Sequence, residues 1–533
     1  MPKNISTSAL GRGQKAKVDF DVLIKGGTVY DGSLATPHVA DIGIKGDKII
    51  AVGDLTGTAE KTIDAKGYIV TPGFIDIHTH CDLSFKDTGA LALLAFVVPE
   101  FKGNYNYTYQ GVTTVVTGNC GYGFTNINRW LNFLNMVRFG TNVYHLAPHG
   151  AIRQELFGAN QPSTLTSVQL EALKKKVAQE MEKGAVGVSY GLDYAPGCLV
   201  DNNELIELAK VAKDYGGIVT IHIRHMAGCR IVENGNALVI DAIKEAIDIS
   251  RRVDIPVQIS HLIIATTIEG LQASQFIHLI EDARKEGLDI TSDQYPYDAG
   301  STYIIVLLPK KYITDIGVKK EYQTPEGRAE IKSAIEQVFK IMGPEKIMIS
   351  YCRQKKSCTG KTLREIADIE NKSPADCFVE LACVDKAPIG VLFQQDMKNV
   401  REVMTHDFVF TASDGFTNLR GLSKPHPRIY GTFTKKIRQF ALDEKLIDLN
   451  ATIRSMTSLP AEKFNIKNRG KITEGYFADV AIIDPLKISD KATYKQPDLF
   501  SEGIIYLLVN GVIEFKDGRP TGLTGGRALK RGQ

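Results

Sequence analysis

A chain of 533 residues with 43% hydrophobic composition can bury a large core and is too long for one simple sandwich. A barrel of about 250 residues or more plus an accessory domain suits that length. With Lys+Arg at 64 and Asp+Glu at 61, the net charge of +3 gives no electrostatic ground for nucleic acid or a charged membrane surface, and the single Trp adds no stacking platform. No uncharged run reaches the ~20 apolar residues of a membrane span, residues 1–20 lack the apolar core of a secretory signal, and eight cysteines show no framework spacing, so a soluble protein of the reducing cytoplasm is expected.

The first 70 residues read as strands and turns. Apolar runs at 20–24, 40–44 and 48–53 are punctuated by Gly and Asp, the chemistry of hairpins. From Phe74 the rhythm changes. Apolar strands at 113–117, 185–189, 219–223, 257–260, 288–293 and 408–412 alternate with helical stretches such as 170–183 and 203–215. Repeated βα alternation predicts a parallel sheet with right-handed crossovers, and polar residues at so many strand ends predict a (β/α)8 TIM-like barrel. The stretch 302–350 interrupts that rhythm and is long enough to be a lid. Beyond about residue 470 hairpins return, with runs at 480–484, 504–509 and 512–515. The expected organisation is α/β: residues 1–73 and 441–533 build one small β-sandwich domain from both chain ends, and the barrel, 74–440, is inserted between.

Chemistry concentrates at the strand ends. His78-Thr79-His80 closes an apolar strand, and the period of two aims both imidazoles the same way. Two such histidines are either surface residues or metal ligands. Cys120 follows the strand 113–117 between Gly118 and Gly121, and is either a buried structural thiol or a thiolate ligand. His222 continues the strand 219–223 and is favoured over His225 as a ligand; His261 ends the strand 257–260. Asp414, after 408–412, either caps the next helix or moves a proton.

Taken in chain order, His-x-His, Cys, His, His and Asp on successive strand ends resemble the metal-dependent amidohydrolase superfamily. The resemblance is closer still to its D-aminoacylase branch, the N-acyl-D-amino-acid deacylases. It is carried by Pro72-Gly73-Phe74-Ile75-Asp76, Gly118-Asn119-Cys120-Gly121, Gly191-Leu192-Asp193-Tyr194-Ala195-Pro196, the run from Asp293 to Thr302, Ser413-Asp414-Gly415 and the run from Pro425 to Phe433. It spans about residues 20 to 525.

That resemblance implies zinc held tightly by Cys120, His222 and His261, with a second, weaker or absent ion on His78 and His80 bridged by Cys120. It implies Asp414 as the acid/base and Tyr194, Tyr295, Ser301 and Arg428 as the grip on substrate. The implied reaction is zinc-dependent hydrolysis of an N-acyl amide, with a small N-acyl-D-amino acid as substrate and a carboxylate and a D-amino acid as products. One departure stands out. Ile263 occupies a position where the family carries a Lys that binds the substrate carboxylate. Either Arg428, Arg224 or another cation then takes the carboxylate, or the substrate has none. The alternatives are an amidohydrolase of hydrophobic, carboxylate-free or cyclic amides, and a non-catalytic barrel.

Overall fold

The computed structural model describes residues 19–533 except 87–88, 159–160, 227–231, 234–235, 267–269, 315–316 and 385. Residues 1–18 and Cys229 therefore lie outside the described residues. The expected barrel is present. Its parallel strands are β1 (Phe74–Asp76), β2 (Val112–Thr117), β3 (Asn142–His145), β4 (Gly187–Gly191), β5 (Ile218–His222), β6 (Val257–Ser260), β7 (Ile290–Gln294) and β8 (Val409–Thr411). One run of pairing orders them β1-β2-β3 and the other β4-β5-β6-β7-β8; Ala147–Pro148, just past β3, pairs with β4 and joins the two. The ring closes at the rim, where Asp414 N donates to His78 O at 3.0 Å and His80 N donates to Gly415 O at 2.7 Å.

The strands are buried along both faces, as in Val112–Thr117, where every residue is inside. That is the mark of a parallel sheet covered by helices. The helices begin where the sequence satisfies their first amides. Ser167–Glu182 starts from Thr166 in a capping box with Gln169, and Asn202–Asp214 starts from Asp201.

Strands from both chain ends share one nine-stranded sheet, in which Ile69–Pro72 pairs antiparallel with Val480–Ile483. The sheet has its own core, including Ile24, Ile42, Ile44, Val70, Val480 and Leu508. Between β7 and β8 lies an insertion with a three-stranded antiparallel sheet, Gly300–Tyr303, Ile389–Leu392 and Ile347–Tyr351, and an apolar core of its own. No helix among the described residues is long and apolar enough to cross a membrane.

One buried charge in this framework carries no counterion. Lys436 is 3% exposed, and its Nζ donates to Thr411 Oγ1 at 2.9 Å and Ser455 Oγ at 3.2 Å. Burial pushes its ammonium down to about 7. The unfolded chain thus holds a proton that the folded chain releases between about pH 7 and the ordinary lysine value. The penalty is complete below pH 7 and fades as pH rises through that window. Lys436→Met should therefore raise stability, by about 2 kcal/mol below pH 7 after the lost hydrogen bonds are counted, with the gain shrinking toward pH 10. Calorimetric Tm values at pH 6 and pH 9.5 check this; an equal shift at both would overturn it.

Candidate active site

The rim at the strand C-termini gathers the ionisable side chains. His78 and His80 follow β1, and both are buried. Asp76 anchors this segment: its carboxylate accepts from His78 N at 3.1 Å and from Ser413 N at 3.2 Å, tying the end of β1 to the segment after β8. Burial raises the Asp76 carboxyl to about 7, against the bonds it accepts.

Cys120 sits in left-handed backbone, φ 53°, directly after Gly118 and Asn119. This loop presses so closely on β4 that a Cβ on Gly191 would stand 1.9 Å from Cys120 O, so only glycine fits there. Asn119 holds the turn by donating to Ile77 O at 3.2 Å and Val116 O at 3.0 Å. The thiol sulfur thereby reaches His78 Nε2 at 3.2 Å and His222 Nδ1 at 3.5 Å.

His222 ends β5 and His261 follows β6. Nδ1 of His261 lies 2.9 Å from Asp293 Oδ1, and its Nε2 lies 3.2 Å from Asp414 Oδ2. Asp293 also accepts from Ser260 Oγ at 2.5 Å and Gln258 Nε2 at 3.1 Å, so it is fixed before it fixes His261. Asp414, at φ 48°, shares the left-handed backbone of Cys120. Its Oδ1 meets His80 Nε2 at 3.1 Å and its Oδ2 meets Arg428 Nη2 at 2.5 Å.

Burial alone would drive all these groups to their neutral forms. For the Cys120 thiol, the charges of His78 and His222 overcome burial and hold it well below its ordinary value. For Asp414, the Arg428 guanidinium and His261 do the same, and for Asp293 it is His78 and His261. The rim is therefore a cluster of thiolate and carboxylates that demands positive charge.

A zinc ion fits that demand. Three triads have ligand atoms within 4.8 Å of one another: His78, His80 and Cys120; Cys120, His222 and His261; His78, His261 and Asp414. Nitrogen and sulfur donors of this kind suit zinc. The buried Nδ1 atoms of His78 and His80 have no hydrogen-bond partner. Asp293 behind His261 supplies the carboxylate that commonly orients a ligating imidazole.

Beside the cluster a cleft is lined by Tyr194, Ile263, Tyr295, Ser301 and Arg428. The Tyr194 ring packs on His222 at 4.7 Å between centroids, and the Arg428 guanidinium lies 4.5 Å over the Tyr295 ring. Arg428 Nη2 also donates to Ser301 O at 3.3 Å, while its Nε and Nη1 have no hydrogen-bond partner. Arg224 departs from expectation. It is drawn to Glu245 at 2.9 Å and to the carbonyls of Cys198 and Val200, and it does not line the cleft. The reason is steric and electrostatic: two residues past His222 the chain has left the strand, and a carboxylate waits on the helix Leu238–Val253. His225 likewise lies outside the cluster.

Sequence reasoning gives no role to Asp293, nor to Asp193, Met226, Leu392 and Gln394 in the cleft wall. Asp293 had a signal, a carboxylate at the end of a barrel strand. Leu392 and Gln394 had none, because they come from the insertion and the loop that leaves it.

Residues 69–248 and 353–515 match the amidohydrolase family. The chain is 30% identical to a D-aminoacylase of Alcaligenes xylosoxydans xylosoxydans, over 96% of this chain and 98% of that protein. It is 31% identical to an N-acyl-D-glutamate deacylase of the same organism, over 96% and 97%. Its fold superposes with a TM-score of 0.77 on the N-acyl-D-glutamate deacylase of Bordetella bronchiseptica, solved with zinc and a phosphonate inhibitor that mimics the tetrahedral intermediate; identity is 28% over 96% of this chain and 99% of that one.

Cys120 belongs to two of the three triads. Cys120→Ala should therefore lower the zinc content of the purified protein. Elemental analysis of the purified variant reads this directly, and zinc kept at the wild-type ratio without Cys120 would refute the thiolate's role.

Proposed function

The chain belongs to the D-aminoacylase family of the amidohydrolases, and from that premise we propose that it hydrolyses the N-acyl amide of an N-acyl-D-amino acid. Water and the amide give a carboxylate and a D-amino acid. The observation that carries this reading is the meeting of Cys120, His78, His80, His222 and His261 with the Asp414–Arg428 pair on one barrel rim. This is the face on which barrel enzymes place their chemistry.

Cys120, His222 and His261 would hold one zinc tightly, and His78 and His80, sharing Cys120, would hold a second more weakly. When bound, zinc supplies Lewis acidity, polarising a carbonyl and acidifying water. The proton work falls to Asp414. Its carboxylate is kept ionised chiefly by Arg428 and His261, against burial, and is thus ready to accept a proton from the attacking water. The same carboxyl then protonates the departing nitrogen, so that an amine leaves rather than an amide anion. Arg428 keeps Asp414 from swinging away, through the bond to Nη2. Asp293 holds His261 in register.

The substrate's carboxylate suits Arg428, whose Nε and Nη1 are otherwise unmet inside the protein. Tyr295 brings a buried hydroxyl without a partner, suited to donate to the oxyanion or the carboxylate. Tyr194 and Ser301 bound the same space, and Ile263 gives an apolar wall. Burial of the whole site excludes competing water and strengthens each of these contacts.

The zinc-loaded protein should release amine from N-acetyl-D-amino acids and leave the L-enantiomers intact, as followed by amine detection. No turnover of either enantiomer would refute the proposal. Asp414→Asn should keep its zinc and lose roughly 100-fold or more in kcat, the usual consequence of removing a general acid/base. Near-normal turnover in that variant would assign the proton to another group.

A further inference from the structure

The backbone from which Arg428 springs is held by a side chain that touches neither Asp414 nor the histidine cluster. His426 lies between Pro425 and Pro427 and is 1% exposed. Its Nδ1 accepts from Arg428 N, the first amide of the helix Arg428–Lys435, at 3.0 Å. Its Nε2 lies 2.9 Å from Ala299 O. An amide only donates and a carbonyl only accepts, so these partners assign the ring: neutral, with its proton on Nε2. The first amides of a helix have no partner within it, and Pro427 at the helix start offers no side-chain acceptor; the His426 ring supplies one.

The two bonds join different parts of the molecule. Arg428 belongs to the segment after β8, whereas Ala299 is buried and runs directly into Gly300–Tyr303, the strand of the insertion that brings Ser301 and Thr302 to the cleft. The ring is boxed in by Tyr297 and Tyr494, each at 5.3 Å between centroids, and by Tyr295 at 5.8 Å. The prolines on either side restrict the backbone, so the ring has little freedom to swing away. Burial and the Arg428 charge hold the imidazole well below the ordinary histidine value, in keeping with the neutral form. At its far end, Arg428 meets Asp414 and Ser301 O through Nη2 and lies over the Tyr295 ring. Those contacts hold the tip of the side chain. The two bonds of His426 set the distance between the helix that carries Arg428 and the strand its tip must reach.

We propose that His426 is a positioning residue that acts through Arg428: its neutral ring seats the Arg428 helix against the Ala299 strand, so that one guanidinium both holds Asp414 and faces the substrate's carboxylate. The inference rests on the deacylase reading above. It gives His426 no contact with substrate and no proton to move. Amides of two lengths separate its two bonds. In His426→Asn the side-chain oxygen stands near the place of Nδ1 and can still accept from Arg428 N, but the chain is too short for Ala299 O. In His426→Gln the side-chain nitrogen reaches Ala299 O, and the acceptor for Arg428 N is lost.

The zinc-loaded proteins are assayed on whichever of N-acetyl-D-leucine, N-acetyl-D-glutamate and N-acetyl-D-glutamine the wild type hydrolyses fastest. His426→Gln should lower kcat/KM by about 10-fold or more, with KM raised as well as kcat lowered, because a displaced Arg428 serves neither substrate nor Asp414. His426→Asn, which keeps the Arg428 bond, should stay within about 3-fold of wild type. In an Arg428→Met background, His426→Gln should cost less than about 2-fold more, since the residue through which it acts is gone. Thermal melting reports whether each variant is folded. A variant that loses its fold, a fall in kcat at unchanged KM, a loss in His426→Asn as large as in His426→Gln, or the full loss repeated without Arg428 would make the ring a packing element only and overturn the inference, leaving deacylation intact. Hydrolysis of none of the three substrates by the wild type, with zinc bound, would overturn the deacylase reading and this inference with it.

Discussion

A thiolate, two carboxylates and several imidazoles share a volume from which bulk water is excluded, and their mutual charges decide the form of each. Burial pushes Cys120, Asp293 and Asp414 toward neutrality, and the cationic groups beside them reverse that push. Such an arrangement is costly for a fold to hold, because removing one partner leaves an uncompensated buried charge. It persists because the strands of the barrel converge at one rim and hydrogen bonds of the backbone fix that rim. The Asp414 N to His78 O bond that closes the ring also places the Asp414 carboxylate against the first histidine pair.

Around this centre, supporting groups divide by what they hold. Asp76 locks the end of β1 to the segment after β8, Asn119 shapes the loop that presents Cys120, and Asp293 orients His261. None of the three appears in the metal triads. Each removes freedom from a residue that does, so the fold itself holds the side chains of the triads in place.

Recognition is built differently. The polar end of the cleft comes from the barrel rim and the helix that begins at Arg428, and part of its other wall comes from the insertion between β7 and β8, through Ser301, Thr302 and Leu392. The insertion has a core separate from the barrel's. Its wall can therefore vary without disturbing the cluster at the rim.

Much of the fold and of the reacting centre was legible in the residues themselves. A strand's period of two aims His78 and His80 together, Gly118 and Gly121 mark the tight loop of Cys120, and the order of strand-end ligands implies the barrel. These are local patterns, and local geometry dictates them. Other features depend on encounters between residues distant along the chain, and only the tertiary structure decided them. Arg224 reads as a cleft cation until Glu245, 21 residues on, captures it. Asp293 becomes the support of His261 because β6 and β7 are neighbours in register, 32 residues apart in sequence. Gln394 reaches the cleft because the loop beyond β6 binds its backbone across 128 residues. Periodicity and motif carry information over a few residues, whereas the walls of a cleft are set by packing between segments that no short pattern relates.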